Sequence, residues 1–152
     1  SLIAGKKNIP AYVLNLSKDS ELMEIALIEN IQREDLNALE ESEAYLVLQE
    51  KFNLSPEKIA KSVGKNRSTI VNSLRLLKLP NEIKKSLLNN EISAGHGRAL
   101  LALNTRSAML KLWKKILSNK LSVRQTEELS KNSIKSLRVK KIKKISFTSQ
   151  ID

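Results

Sequence analysis

Apolar residues recur at three- and four-residue intervals along most of this chain, a spacing that predicts amphipathic helices. Leu22, Ile25 and Ala26 set the pattern over 20–31, with Glu21 and Glu24 in the first turn, where the helix dipole favours carboxylates. A second helix is expected over 38–52, its stripe formed by Ala44, Tyr45, Leu48 and Phe52. Ahead of both, a short apolar run from Ala11 to Leu16 follows Pro10 and reads as a strand. A lone strand leaves its edges unpaired, so this one is expected to join a sheet outside the chain.

After Asn53 the helix signals become dense. Ser55-Pro56-Glu57 combines a capping hydroxyl, a proline at the first helical position and a first-turn carboxylate. A short helix is expected to Ser62, followed by a tight turn at Gly64. Asn66 is placed to cap the next helix, which runs to about Leu77 and stops before Pro80. Further helices are expected from Asn81 through Leu88, from Ser93 or Ala94 across "GHGRALLAL", and from Thr105. The last of these carries Met109, Leu112, Trp113 and Ile116, a spacing that assigns Trp113 to the core. Ser122 and Gln125 form a capping box that starts a final helix, and residues beyond Asn132 read as a tail or linker. The expected architecture is mainly α.

The span 54–79 brings these signals into a helix-turn-helix. Ala60 is small enough for a close crossing, Gly64 makes the turn, and Ile70 and Leu74 are expected to pack back onto Ile59 and Val63. The start of the second helix then projects Asn66, Arg67, Ser68, Thr69, Asn72 and Ser73. These side chains carry a guanidinium, hydroxyls and amides, which suit base edges or phosphates in a major groove. Whether Arg67 meets a guanine or a phosphate stays open at this level. Lys58, Lys61 and Lys65 are candidates to neutralise a phosphate backbone. Gly95, His96 and Arg98, at another helix start, could approach a phosphate through backbone amides and side-chain donors. Glu29, Asn30 and Arg33 lie together at a helix end and could arrange a metal–phosphate group.

Charge sharpens this picture. The net charge of the 152 residues is +11, but residues 21–50 hold nine acidic side chains against one basic. Residues 51–152 hold 23 basic against six acidic, so the second part of the chain favours a polyanion and the first does not. Aromatics make up 3%, which leaves Leu, Ile, Val and Ala to build the core. The sequence has no cysteine and one histidine, which excludes disulfide scaffolds, thiol catalysis and an all-histidine metal site. No apolar run is long enough for a membrane-spanning helix.

Three motifs in order, "ALIENIQREDLNALEESEAY", "LSPEKIAKSVGKNRSTIVNSLRLLKLP" and "ISAGHGRALLAL", closely resemble the ParB (Spo0J-like) chromosome-partitioning family over roughly residues 8–130. The resemblance implies a helical helix-turn-helix domain over 36–131. This follows a 1–35 remnant of a small α/β nucleotide-binding domain and precedes a basic linker or tail over 132–152. It implies specific binding of a palindromic, centromere-like (parS-type) double-stranded DNA site by two copies, and spreading along DNA by the longer parent. A ParA-type ATPase, homodimerisation of the parent and a cytoplasmic, nucleoid-associated location are implied in the same way. Arg67, Ser68 and Thr69 fall at the family's reading-helix start, and "GHGRAL" carries Gly97 where the family usually has Ala. Glu29, Asn30 and Arg33 match the family's "ENxQR" motif, which serves CTP and Mg²⁺, with Glu29 and Asn30 toward the metal. The family's arginine-rich nucleotide motif would precede Ser1. CTP binding is therefore expected of a longer parent, a DNA-stimulated CTPase, rather than of this chain. The alternative readings are a nucleotide hydrolase for which DNA is only an effector and a helix-turn-helix transcriptional regulator, with an RNA-binding protein more distant.

Overall fold

The computed structural model describes residues 19–148, with side-chain surroundings through residue 136. Eight helices occupy that span: α1 Asp19–Ile31, α2 Ala38–Lys51, α3 Pro56–Val63, α4 Arg67–Leu76, α5 Asn81–Leu88, α6 Ala94–Leu101, α7 Arg106–Asn119 and α8 Val123–Thr148. No strand occurs among the described residues, and the expected strand at Ala11 to Leu16 lies outside them.

Local chemistry sets most of the boundaries. Asn37 caps α2 by accepting from the Leu39 and Glu40 amides at 2.9 and 3.0 Å, while Glu40 accepts from the Asn37 amide at 3.1 Å. Ser55 caps α3 with Pro56 behind it, Thr105 caps α7, and Ser122 with Gln125 closes the capping box at the start of α8. Asn66 has the extended backbone of an N-cap, but its side chain makes no capping hydrogen bond. The boundary predicted there is right, and the reason predicted for it is not.

Two apolar clusters hold the helices together. One gathers Ile31, Tyr45, Leu48, Ile59, Ala60, Val63 and Ile70, joining α1 to α4. The other runs from Leu39, Leu76 and Leu79 through α5 and α6 to Leu112 and Ile116 of α7. Helices α2 and α4 contribute to both clusters and so connect them. Trp113 packs against the second, and its Nε1 donates to Ser86 Oγ at 3.0 Å while that hydroxyl donates to Glu91 at 2.6 Å.

Two expectations need correction. The face of α1 that packs is Leu27, Ile28 and Ile31, while Met23 and Ile25 are 62% and 57% exposed; the periodic stripe at Leu22 and Ile25 faces away. Ile31 therefore packs with the helix-turn-helix residues Ile59 and Ile70. At the other end, α8 does not stop near residue 132 but continues to Thr148. No Gly or Pro interrupts that stretch, Ile134 packs on the second cluster, and Ser133 bonds back to the Leu129 carbonyl at 2.9 Å. Lack of an apolar stripe weakens packing but does not end a helix.

Ile70, fully buried, ties α4 to α3 and α2. Ile70→Ala should cost about 2–5 kcal/mol of stability, read as a lower denaturant midpoint at unchanged slope. An unchanged midpoint would mean that α4 is held by something else.

Candidate nucleic-acid interface

The candidate surface begins with the turn between α3 and α4. Gly64 adopts φ 69° and ψ 31°, a left-handed conformation that L side chains resist. Its amide donates to the Ala60 carbonyl, as does the Lys65 amide at 2.9 Å. The chain thus reverses within three residues and starts α4 at Arg67. The Thr69 and Ile70 amides reach the Asn66 carbonyl, leaving the Arg67 and Ser68 amides at the helix start without an intrahelical acceptor. Such amides are suited to an anion.

Asn66, Arg67 and Ser68 are exposed, as the sequence predicts. Thr69, Asn72 and Ser73 are only half-buried rather than fully projecting. They lie partly enclosed where α4 packs toward α2, α3 and α6, so they form the shoulders of the surface rather than its tip. Lys58 and Lys61 stand exposed on α3.

Two basic residues of this surface are held by acidic side chains. Arg67 Nε donates to Glu57 Oε1, the second residue of α3, and both side chains are well exposed. The Glu57 carboxyl lies below the usual carboxylate range, first because of its own backbone amide at the helix start, then because of Arg67. Lys65 Nζ meets Glu41 Oε1 on α2, and the buried Tyr45 hydroxyl donates to the same oxygen. Burial pushes the Tyr45 hydroxyl well above its ordinary range, and its bond to Glu41 adds to that. Lys65 is therefore part of a brace between α2 and the turn as well as a candidate phosphate contact. The sequence did not mark Glu41 at all and marked Glu57 only as a first-turn carboxylate. Their partners lie 24 and ten residues away, and no helical spacing signals that.

The second candidate cluster is arranged differently from the sequence expectation. Gly95 is buried where α6 meets α8, and a Cβ there would sit 2.9 Å from Val123 Cγ2, too close to fit. His96 Nδ1 accepts from the Ser93 amide at 3.1 Å, which leaves the ring proton on Nε2 to donate to the Leu121 carbonyl at 2.9 Å. Nε2 thus fastens α6 to the α7–α8 turn, while Nδ1 closes the capping box of α6 at Ser93. Arg98 is exposed and remains a candidate for phosphate.

Glu29 and Asn30 sit exposed in the last turn of α1, and Arg33 pairs with Asp35 at 3.1 Å. Among the described residues, no group of three or more His, Asp or Glu is placed to hold a metal ion. Two oxygen-bearing side chains and one guanidinium already facing a carboxylate do not make a site for Mg²⁺ and a triphosphate by themselves. No helix among the described residues is long and apolar enough to cross a membrane.

A family model described as the ParB HTH domain matches residues 34–135. The nucleoid occlusion protein of Bacillus cytotoxicus is 48% identical over 124 residues, covering 82% of this chain and 42% of that protein. The nucleoid occlusion protein of Bacillus thuringiensis (strain Al Hakam) matches to the same extent. The chain thus spans well under half the length of these curated relatives. Among solved structures, the C-terminally truncated chromosome-partitioning protein ParB from Caulobacter crescentus, complexed to the centromeric parS site, aligns with a TM-score of 0.72 and 45% identity. That alignment covers 76% of this chain and 60% of the other. A DNA-binding domain of ParB, also complexed to the parS site, aligns with a TM-score of 0.66 and 46% identity, covering 72% of this chain and 88% of that one.

His96→Ala should lower stability by about 1–3 kcal/mol, because the Ser93 amide and Leu121 carbonyl both lose a partner. Chemical denaturation reads this directly. A variant as stable as the parent would show that the two bonds do not fasten α6.

Proposed function

Because this chain belongs to the ParB family through its helix-turn-helix domain, we propose that it binds a palindromic parS-type duplex through the start of α4. The observation that carries this reading is the surface itself. Asn66, Arg67 and Ser68 project from a helix whose other face is locked by Ile70 and Leu76. A helix of ten residues is about 15 Å long, and its width suits a major groove of about 12 Å. The free amides lie at the same helix start as these side chains, so phosphate contact and base reading come from one element.

In this reading Arg67 contacts a base edge, with Ser68, Thr69, Asn72 and Ser73 completing the reading surface. Lys58, Lys61 and Arg98 neutralise phosphates, and Lys65 joins them when its bond to Glu41 opens. Asn66 lies at the groove edge. Gly95 and His96 serve by holding α6, and with it Arg98, in place. A palindrome offers two equivalent half-sites, so two copies bind about the DNA dyad. The acidic α1 and first part of α2 stay off the phosphates, since like charge opposes contact.

Residues 1–35 are assigned to the edge of an N-terminal nucleotide-binding unit, 36–131 to DNA binding and 132–152 to a basic extension, helical through Thr148. For a longer protein that includes this chain, the reading extends to chromosome or plasmid partitioning at the nucleoid. It includes spreading along DNA, self-association and work with a ParA-type ATPase. CTP with Mg²⁺ belongs to that longer protein, because Glu29, Asn30 and Arg33 need further basic groups to hold a triphosphate.

Arg67→Ala should weaken binding to the palindromic duplex by about 1–3 kcal/mol while helix content by circular dichroism stays constant. Unchanged affinity in the folded variant would remove Arg67 from the interface. Affinity for the site should also fall steeply with salt, the log–log slope being about −0.9 for each phosphate neutralised. A titration series that stays flat between low and physiological salt would refute the phosphate contacts.

A further inference from the structure

The bond between Arg67 and Glu57 uses one particular nitrogen. It is Nε, the inner nitrogen of the guanidinium, that donates to Glu57 Oε1. Among the described residues the two terminal amino groups make no hydrogen bond, and the Arg67 side chain is 62% exposed. Bidentate reading of guanine O6 and N7 uses a pair of guanidinium donors, and the terminal pair is the one left open here. Glu57 is itself fixed, as the second residue of α3 behind Ser55 and Pro56, on a helix packed through Ile59, Ala60 and Val63.

We propose that Glu57 is a positioning residue for base recognition: it grips Arg67 through Nε and presents the terminal fork of the guanidinium to the groove. This rests on the reading of Arg67 as a base contact. An arginine held in this way has given up part of its rotamer freedom before DNA arrives, so less is lost on binding. The same carboxylate places a negative charge beside the duplex, which opposes phosphate contact on any sequence. The two effects differ in what they depend on. The grip helps only where a base accepts the fork, while the repulsion acts on all DNA. Glu57 therefore raises the preference for the correct site from both directions.

The test compares the palindromic duplex with a random duplex of equal length for Glu57→Ala, Arg67→Ala and the double variant, with circular dichroism as the folding control. Glu57→Ala should weaken the palindromic complex by about fivefold or more, toward the lower end of a bidentate arginine–guanine contact. Binding to the random duplex should hold constant or tighten by up to about fivefold, the range of an exposed ion pair. In the Arg67→Ala background, Glu57→Ala should leave the affinity of the palindrome relative to random DNA where Arg67→Ala alone puts it. Glu57→Gln, which keeps an acceptor for Nε and loses the charge, should fall between the parent and Glu57→Ala. It also serves if the alanine variant is less folded. Equal shifts on both duplexes, or a loss of preference that persists without Arg67, would overturn the positioning role. If Arg67→Ala alone leaves the preference intact, the base-contact reading fails and takes this inference with it. If Arg67→Ala lowers the preference and the Glu57 variants do not, only the inference fails.

Discussion

Burial of Ile70 among Tyr45, Leu48, Ile59 and Val63 fixes the angle at which α4 leaves the body of the protein. That side chain is fully enclosed, and Leu76, six residues on, is enclosed in the other apolar cluster. The helix is thereby held at two points, one in each apolar cluster. What it offers outward, from Asn66 to Ser68, is set by that grip rather than by the polar residues themselves. A projecting helix start anchored only by its own cap would have no fixed aim, and here the cap side chain makes no capping hydrogen bond. Packing therefore does what capping does not.

Electrostatics then adjusts the surface that packing presents. The chain divides into an acidic stretch and a basic one, and the structure folds one onto the other at a few points. Glu41, from the acidic stretch, meets Lys65 in the turn, while Glu57, within the basic stretch, meets Arg67 at the start of α4. Exposed pairs of this kind are weak in water, so the Lys65 pair can exchange for phosphate. The Glu41 pair has the additional tie of the Tyr45 hydroxyl, which makes it a brace for the turn. Without such partners, the cations of the reading surface would meet any polyanion with little to oppose them.

The helix boundaries were legible because they depend on neighbours in sequence. Ser55-Pro56, Thr105 and the Ser122–Gln125 box each mark a start within four residues, and Gly64 marks a turn by its backbone freedom alone. The core of the helix-turn-helix was legible for the same reason, since Ala60, Ile70 and Leu74 follow a simple spacing. What stayed hidden depends on contacts between distant residues. Tyr45, Glu41 and Lys65 meet across 24 positions, and His96 reaches Leu121 across 25. The face that α1 buries was misread because Leu22 and Ile25 are as periodic as Leu27 and Ile31, and only the position of α2 and α3 chooses between them. In α8 the error came from reading scattered apolar residues as a tail, although no Gly or Pro breaks the helix there.

The central claim, that the first turn of α4 enters the major groove, can be tested on a chain that lacks cysteine. A cysteine placed at exposed Ser68 carries a DNA-cleaving reagent, with the same reagent at exposed Leu117 on α7 as the comparison. Cleavage of the palindromic duplex from position 68 should fall at two short clusters, symmetric about the dyad and patterned for the major groove. Cleavage from position 117 should be weak and diffuse. Equal cleavage from both positions, or none from position 68 in a complex that still forms, would contradict the account.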